Sequence, residues 1–156
     1  MPRITSEAAK HYRNLADRFS RETGKTTFEV HEVVSWADRG GELELSPEEI
    51  ASIHAGRLSE ALRSDVATDD KKRTYRLRHC MEAPVAVEDG KFRQRTLWAH
   101  IDEATDDFLI VSLQQRRKRI ADDVESLRMD LEIINERRVA AGKRPIQLGL
   151  DFGKSA

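Results

Sequence analysis

Tyr75-Arg76-Leu77-Arg78-His79-Cys80-Met81 is where the chain changes its period. Tyr75, Leu77, His79 and Met81 alternate with Arg76, Arg78 and Cys80, the two-residue repeat of a strand with one face turned inward. Downstream, Arg93-Gln94-Arg95-Thr96-Leu97-Trp98-Ala99-His100-Ile101 reads as the returning strand, with Glu88-Asp89-Gly90 as the turn between them. Pro84 predicts that the first strand is an edge, or is bulged there, because proline cannot donate to a ladder. Thr68-Asp69-Asp70-Lys71-Lys72 reads as a polar linker leading into this hairpin. A hairpin set among helical stretches makes the fold α+β.

The flanking segments are helical. From about Glu7 to Arg21, Ala8, Tyr12, Leu15, Ala16 and Phe19 share one stripe, and Gly24 ends the helix. Thr26-Thr27-Phe28-Glu29 predicts a capping-box start for a second helix running to Arg39, which Gly40-Gly41 breaks. Glu42-Leu43-Glu44-Leu45 alternates like a very short strand. Ser46-Pro47-Glu48-Glu49 is a strong helix start, with Ser at the cap, Pro in the first turn and Glu three residues on. Ile50, Ile53, Leu58, Ala61 and Leu62 then extend an apolar stripe to about Asp65, interrupted by Gly56. They fit one uninterrupted helix as well as two helices with a turn at Gly56. From roughly Ala104 to Val139 there is no Gly or Pro, and Ile110, Leu113, Ile120, Val124, Leu127, Leu131 and Ile134 keep 3–4 spacing. Arg117 and Arg138 occupy two positions of that seam. Such a seam predicts a coiled-coil arm or a long helical hairpin partner, and the expectation taken from it is a homodimer through residues 108–138.

Composition narrows the class. The 156 residues suit one domain with an extended helical arm: residues 1–102, a long helix over 103–141 and a flexible tail over 142–156. Lys+Arg 27 against Asp+Glu 28 leaves no global basic field, so any nucleic-acid surface must be local. The single cysteine, Cys80, forbids an internal disulfide and a multi-cysteine zinc site, which fits a reducing cytoplasm. Met1 to Ser6 lacks the apolar run of a signal peptide, and Phe108–Val111 is far too short to span a bilayer. The expectation is a cytoplasmic protein with no membrane partner.

Residues 26–102 resemble a winged helix-turn-helix in element order and in the run Leu45-Ser46-Pro47-Glu48-Glu49-Ile50-Ala51. The resemblance implies a turn at Gly56 and a recognition helix from Arg57 to Asp65, with Arg57 and Arg63 facing DNA and the hairpin as the wing. The hairpin carries Lys71, Lys72, Arg73, Arg76 and Arg78 on one arm and Lys91, Arg93 and Arg95 on the other, with Tyr75, Phe92 and Trp98 interleaved. Such cations flanking a turn predict phosphate contacts, and the candidate DNA-binding residues are Arg57, Arg63, Arg73, Arg76, Arg78, Lys91, Arg93 and Arg95. The basic tetrad Arg116-Arg117-Lys118-Arg119 spreads over every face of the long helix, with Asp122 and Asp123 within pairing distance.

Near the end of the chain, Gln147-Leu148-Gly149-Leu150-Asp151-Phe152 places large apolar residues in a polar tail. The string resembles the QLxLxF peptide by which bacterial polymerases and repair factors bind the replicative sliding clamp. That resemblance implies Gln147 as the polar anchor, with Leu148, Leu150 and Phe152 filling an apolar cleft.

No catalytic constellation is legible. The five histidines never fall at two-ligand spacing with a carboxylate, and His79 and Cys80 face opposite sides of a strand. His79 and His100 are placed to face one another across the hairpin. Neither a glycine-rich phosphate loop nor a nucleophile elbow is present, so the chain reads as no enzyme, with no cofactor and no metal. Three functions follow: a DNA-associated adaptor of bacterial or mobile-element type recruited to the clamp, a dimeric winged-helix transcriptional regulator, or an interaction module that does not touch DNA.

Overall fold

A computed structural model describes residues 6–150. The chain forms two compact units, Met1–Asp65 and Val66–Ala156. Phe152 of the tail motif lies outside the described residues.

The first unit is helical. α1 (Ser6–Thr23) and α2 (Val30–Arg39) pack together through Leu15 and Phe19 from one and Val33 and Ala37 from the other. Phe19 meets Phe28 and Trp36 edge-on, with ring centroids 5.7 and 5.8 Å apart, the geometry aromatic quadrupoles prefer. Arg18 lies over the Trp36 ring and donates to both oxygens of Glu42, at 2.8 and 3.0 Å, tying the loop after α2 back to α1. Gly24, with φ +72°, takes the left-handed position that ends α1 as expected. α2 begins three residues later than the sequence suggests. Its cap is Glu29, whose side chain accepts from Glu32 while Glu32 reaches back to the Glu29 amide, and Lys25 pairs with Glu32. A carboxylate can cap as a threonine does, so the box moves along without losing its bonds.

α3 (Pro47–Ser64) starts where the sequence places it, with Ser46 Oγ accepting from the Glu49 amide and Glu49 from the Ser46 amide. Of the two readings left open, the single helix holds: α3 runs through Gly56, and the turn that the winged-helix resemblance implies there is absent. A lone glycine costs a helix only about 1 kcal/mol, which the reciprocal cap and the helix formers around it offset. The expected short strand at Glu42–Leu45 is likewise absent; those residues form no ladder.

The second unit holds all the strands described. β1 (Val66–Thr68) and β2 (Thr74–Arg76) form a small antiparallel hairpin, so Thr68–Lys72 is largely its loop rather than a linker. β3 (Arg78–Ala86) and β4 (Phe92–His100) form the main hairpin, joined through a one-turn 3-10 segment, Glu88–Gly90. Asp89 and Gly90 both have positive φ there, as the sequence turn signal requires. Thr105 caps α4 (Asp106–Ala140), a helix of 35 residues, about 52 Å at 1.5 Å per residue.

α4 seals the outer edge of β3. Ser112 Oγ donates to the Cys80 carbonyl at 2.6 Å, and the Gln115 amide accepts from the Glu82 N–H and donates to the Glu82 carbonyl, at 2.8 and 2.9 Å. Glu82 therefore turns its backbone outward, and Pro84, two residues on, turns outward the one nitrogen that carries no hydrogen. The proline lies on an edge, as expected, in a ladder with no bulge. Among the described residues no helix is long and apolar enough to cross a membrane.

Candidate interaction surfaces

The hairpin register sorts the cations. Val85 pairs with Arg93 and Ala83 with Arg95, so both arginines share the face of His79 and Met81 and stand exposed beside the Lys91 turn. Arg78 pairs with His100 and belongs to the opposite face. Arg73 is engaged elsewhere, since its guanidinium meets Asp69 at 2.6 and 2.8 Å. Arg76 and Arg78 are each half-buried and have interaction partners. What the sequence reads as one band of cations is thus divided: Lys91, Arg93 and Arg95 are the exposed group of the β3–β4 hairpin, while Lys71 and Lys72, exposed as well, belong to the β1–β2 loop. Arg57 and Arg63 belong to α3 in the other unit; Arg57 is exposed, while Arg63 is half-buried and partnered.

The register also separates the histidines. His79 sits opposite Ala99 and His100 opposite Arg78, so they lie on opposite faces rather than facing each other. One residue of register decides this, because side chains alternate across a sheet. His79 Nε2 lies 3.2 Å from the Arg76 carbonyl, and His100 Nδ1 accepts from the Asp102 amide. Among the described residues no group of three or more His, Cys, Asp or Glu could hold a metal.

The chain after α4 turns at Gly142, φ +73°, and runs back along the helix. Arg138 Nε donates to the Arg144 carbonyl at 2.8 Å. Asn135 accepts from the Ile146 N–H at 2.7 Å and donates to the Ile146 carbonyl at 2.8 Å, pairing with it as a neighbouring strand would. The chain is therefore held against α4 as far as Ile146. Gln147 and Leu148 follow at once, both exposed (Leu148 at 53%), and Leu150 is half-buried. Asn135 carries no motif signal in the sequence; only its place on α4 against the returning chain discloses its role.

The seam of α4 is open. Leu113, Ile120, Leu127 and Ile134 are 52, 54, 40 and 46% exposed. Ser112 and Gln115, which meet β3, lie about 100° and 160° around the helix from Leu113, so the strand does not lie against the seam. Comparison with family models, curated proteins and solved structures finds no match.

Proposed function

We propose that this chain is a non-catalytic, DNA-associated adaptor of the bacterial or mobile-element cytoplasm, recruited to the replicative sliding clamp through Gln147, Leu148, Leu150 and Phe152. The observation that carries the proposal is the placement of Gln147 and Leu148. They stand exposed directly after Ile146, whose backbone Asn135 grips on both sides. A peptide offered from a fixed root loses less freedom on docking than one hanging from a loose chain. DNA contact is the second element of the proposal, made by the exposed Lys91, Arg93 and Arg95. In the first unit α3 is a single helix rather than a helix-turn-helix, and its exposed Arg57 is a separate candidate contact. An interaction module without DNA binding is the competing reading, and the open seam of α4 favours it.

The full chain should bind a bacterial sliding clamp with a micromolar Kd, roughly −8 kcal/mol. Gln147→Ala combined with Phe152→Ala should abolish binding and leave the circular dichroism unchanged. Failure of the unaltered chain to bind at tens of micromolar would dismiss clamp recruitment.

A further inference from the structure

We infer that α4 pairs with a second copy of this chain as an antiparallel two-stranded coil, with Ile120 packed against Val124 of the second copy. The inference rests on α4 alone and stands apart from clamp or DNA binding.

The seam needs a cover. Ile110, Leu113, Ile120, Val124, Leu127, Leu131 and Ile134 recur at 3–4 spacing, and most of them are 40% or more exposed. Single exposed apolar residues are ordinary, but a stripe of seven along one helix, broken only at Arg117, marks an interface. Leu131, beside Asn135 on the helix surface, is half-buried, whereas Ile120 and Leu127 lie open.

Charge selects the occupant and its direction. In a parallel, in-register pair, each Arg117 would face its counterpart in the seam with Arg116 on the flank, gathering four like charges in one layer. The attraction of Asp123 for Arg128 of the second copy is set against that cluster. In the antiparallel pair, Arg117 packs on Leu127, Leu113 on Leu131 and Ile110 on Ile134 of the second copy. Arg116 then lies beside Asp130 of the second copy, twice by symmetry. One heptad further along, the antiparallel register would set Asp123 against Asp130 and Arg116 against Arg137, both repulsive. One heptad the other way would pair Arg116 with Asp123 but leave Leu131 and Ile134 outside the shared seam and bury Arg117 beside the two-fold axis. In the register proposed, a single like-charge contact remains, Asp123 with itself near the two-fold axis, at the exposed rim where such a pair costs little. The overlap ends at Ile134, leaving the tail-bound Asn135 and Arg138 outside the shared seam.

The test uses the full chain. Sedimentation at tens of micromolar should give a dimer, and Leu127→Glu should return it to monomer with its helical signal retained. In a Cys80→Ala background, Ile120→Cys and Val124→Cys proteins should form disulfide-linked dimers at least tenfold faster when mixed than either does alone. Cysteines cross-link only when their Cα atoms approach within about 7 Å. A monomeric natural chain would overturn the inference. So would faster linkage of Ile120→Cys to itself than to Val124→Cys, the pattern of a parallel pair.

Discussion

Asp69 organises the β1–β2 loop through its carboxylate as well as its backbone, whose carbonyl accepts from the Lys72 amide and whose amide donates to the Arg73 carbonyl. Its Oδ1 accepts from the amides of Lys71 and Arg73 at 2.9 Å each, while Oδ2 takes the Arg73 side chain. Lys72 is thereby held at φ 60°, a left-handed position a lysine rarely adopts. The Arg73 side chain, then its backbone amide, holds the Asp69 carboxyl below its ordinary range. A carboxyl depressed in the folded state contributes stability above its unfolded value, about 3.9, and loses it as pH falls through the folded value. Asp69→Asn should therefore weaken the β1–β2 hairpin at neutral pH and remove part of its acid sensitivity below about pH 4. NMR pH titration of the Lys71 and Arg73 amides, natural chain against variant, reads this directly. Identical titrations would mean that the carboxylate does not set the loop. The cost should be small, because the pair is exposed and screened.

At the scale of elements, α4 uses the same device twice. Gln115 and Asn135 each present a side-chain amide to both backbone groups of an extended residue, Glu82 and Ile146. The first protects an edge strand from pairing with strangers; the second fixes where the tail begins. Asn135→Ala removes both bonds to Ile146, at about 1 kcal/mol each. Hydrogen exchange at the Ile146 amide should rise while exchange at Glu82 stays unchanged, and equal protection in both proteins would refute the role given to Asn135. The elements themselves were largely legible. The Ser46 cap, the Gly24 stop, the Glu88–Gly90 turn and the glycine-free run into α4 act through neighbouring residues, and local sequence reports local physics. The β1–β2 hairpin was not legible, because three-residue strands show too little alternation to distinguish them from a linker. Continuity through Gly56 was not legible either, since apolar spacing served one helix and two alike. The split of the cations depends on one residue of strand register, and the grip of Asn135 on contact between residues eleven apart.

At the scale of the whole molecule, formal net charge is −1, so long-range attraction to a polyanion has no global source. In the proposed function the phosphate contacts come from a local group, the hairpin's exposed Lys91, Arg93 and Arg95, whose carboxylate neighbours in sequence are Glu88 and Asp89. Each phosphate contact releases about one condensed counterion, so three contacts predict a slope of log affinity against log salt near −3. Arg93→Ala with Arg95→Ala should reduce the magnitude of that slope by about two and weaken specific and random duplexes alike, because phosphates carry no sequence. Arg57→Ala should instead weaken a preferred sequence selectively if α3 reads bases, since base contacts discriminate by roughly 1–3 kcal/mol each. One salt titration on two duplexes separates these outcomes. Absence of binding at low salt would remove DNA from the proposed function and leave an adaptor acting through its tail and the α4 seam.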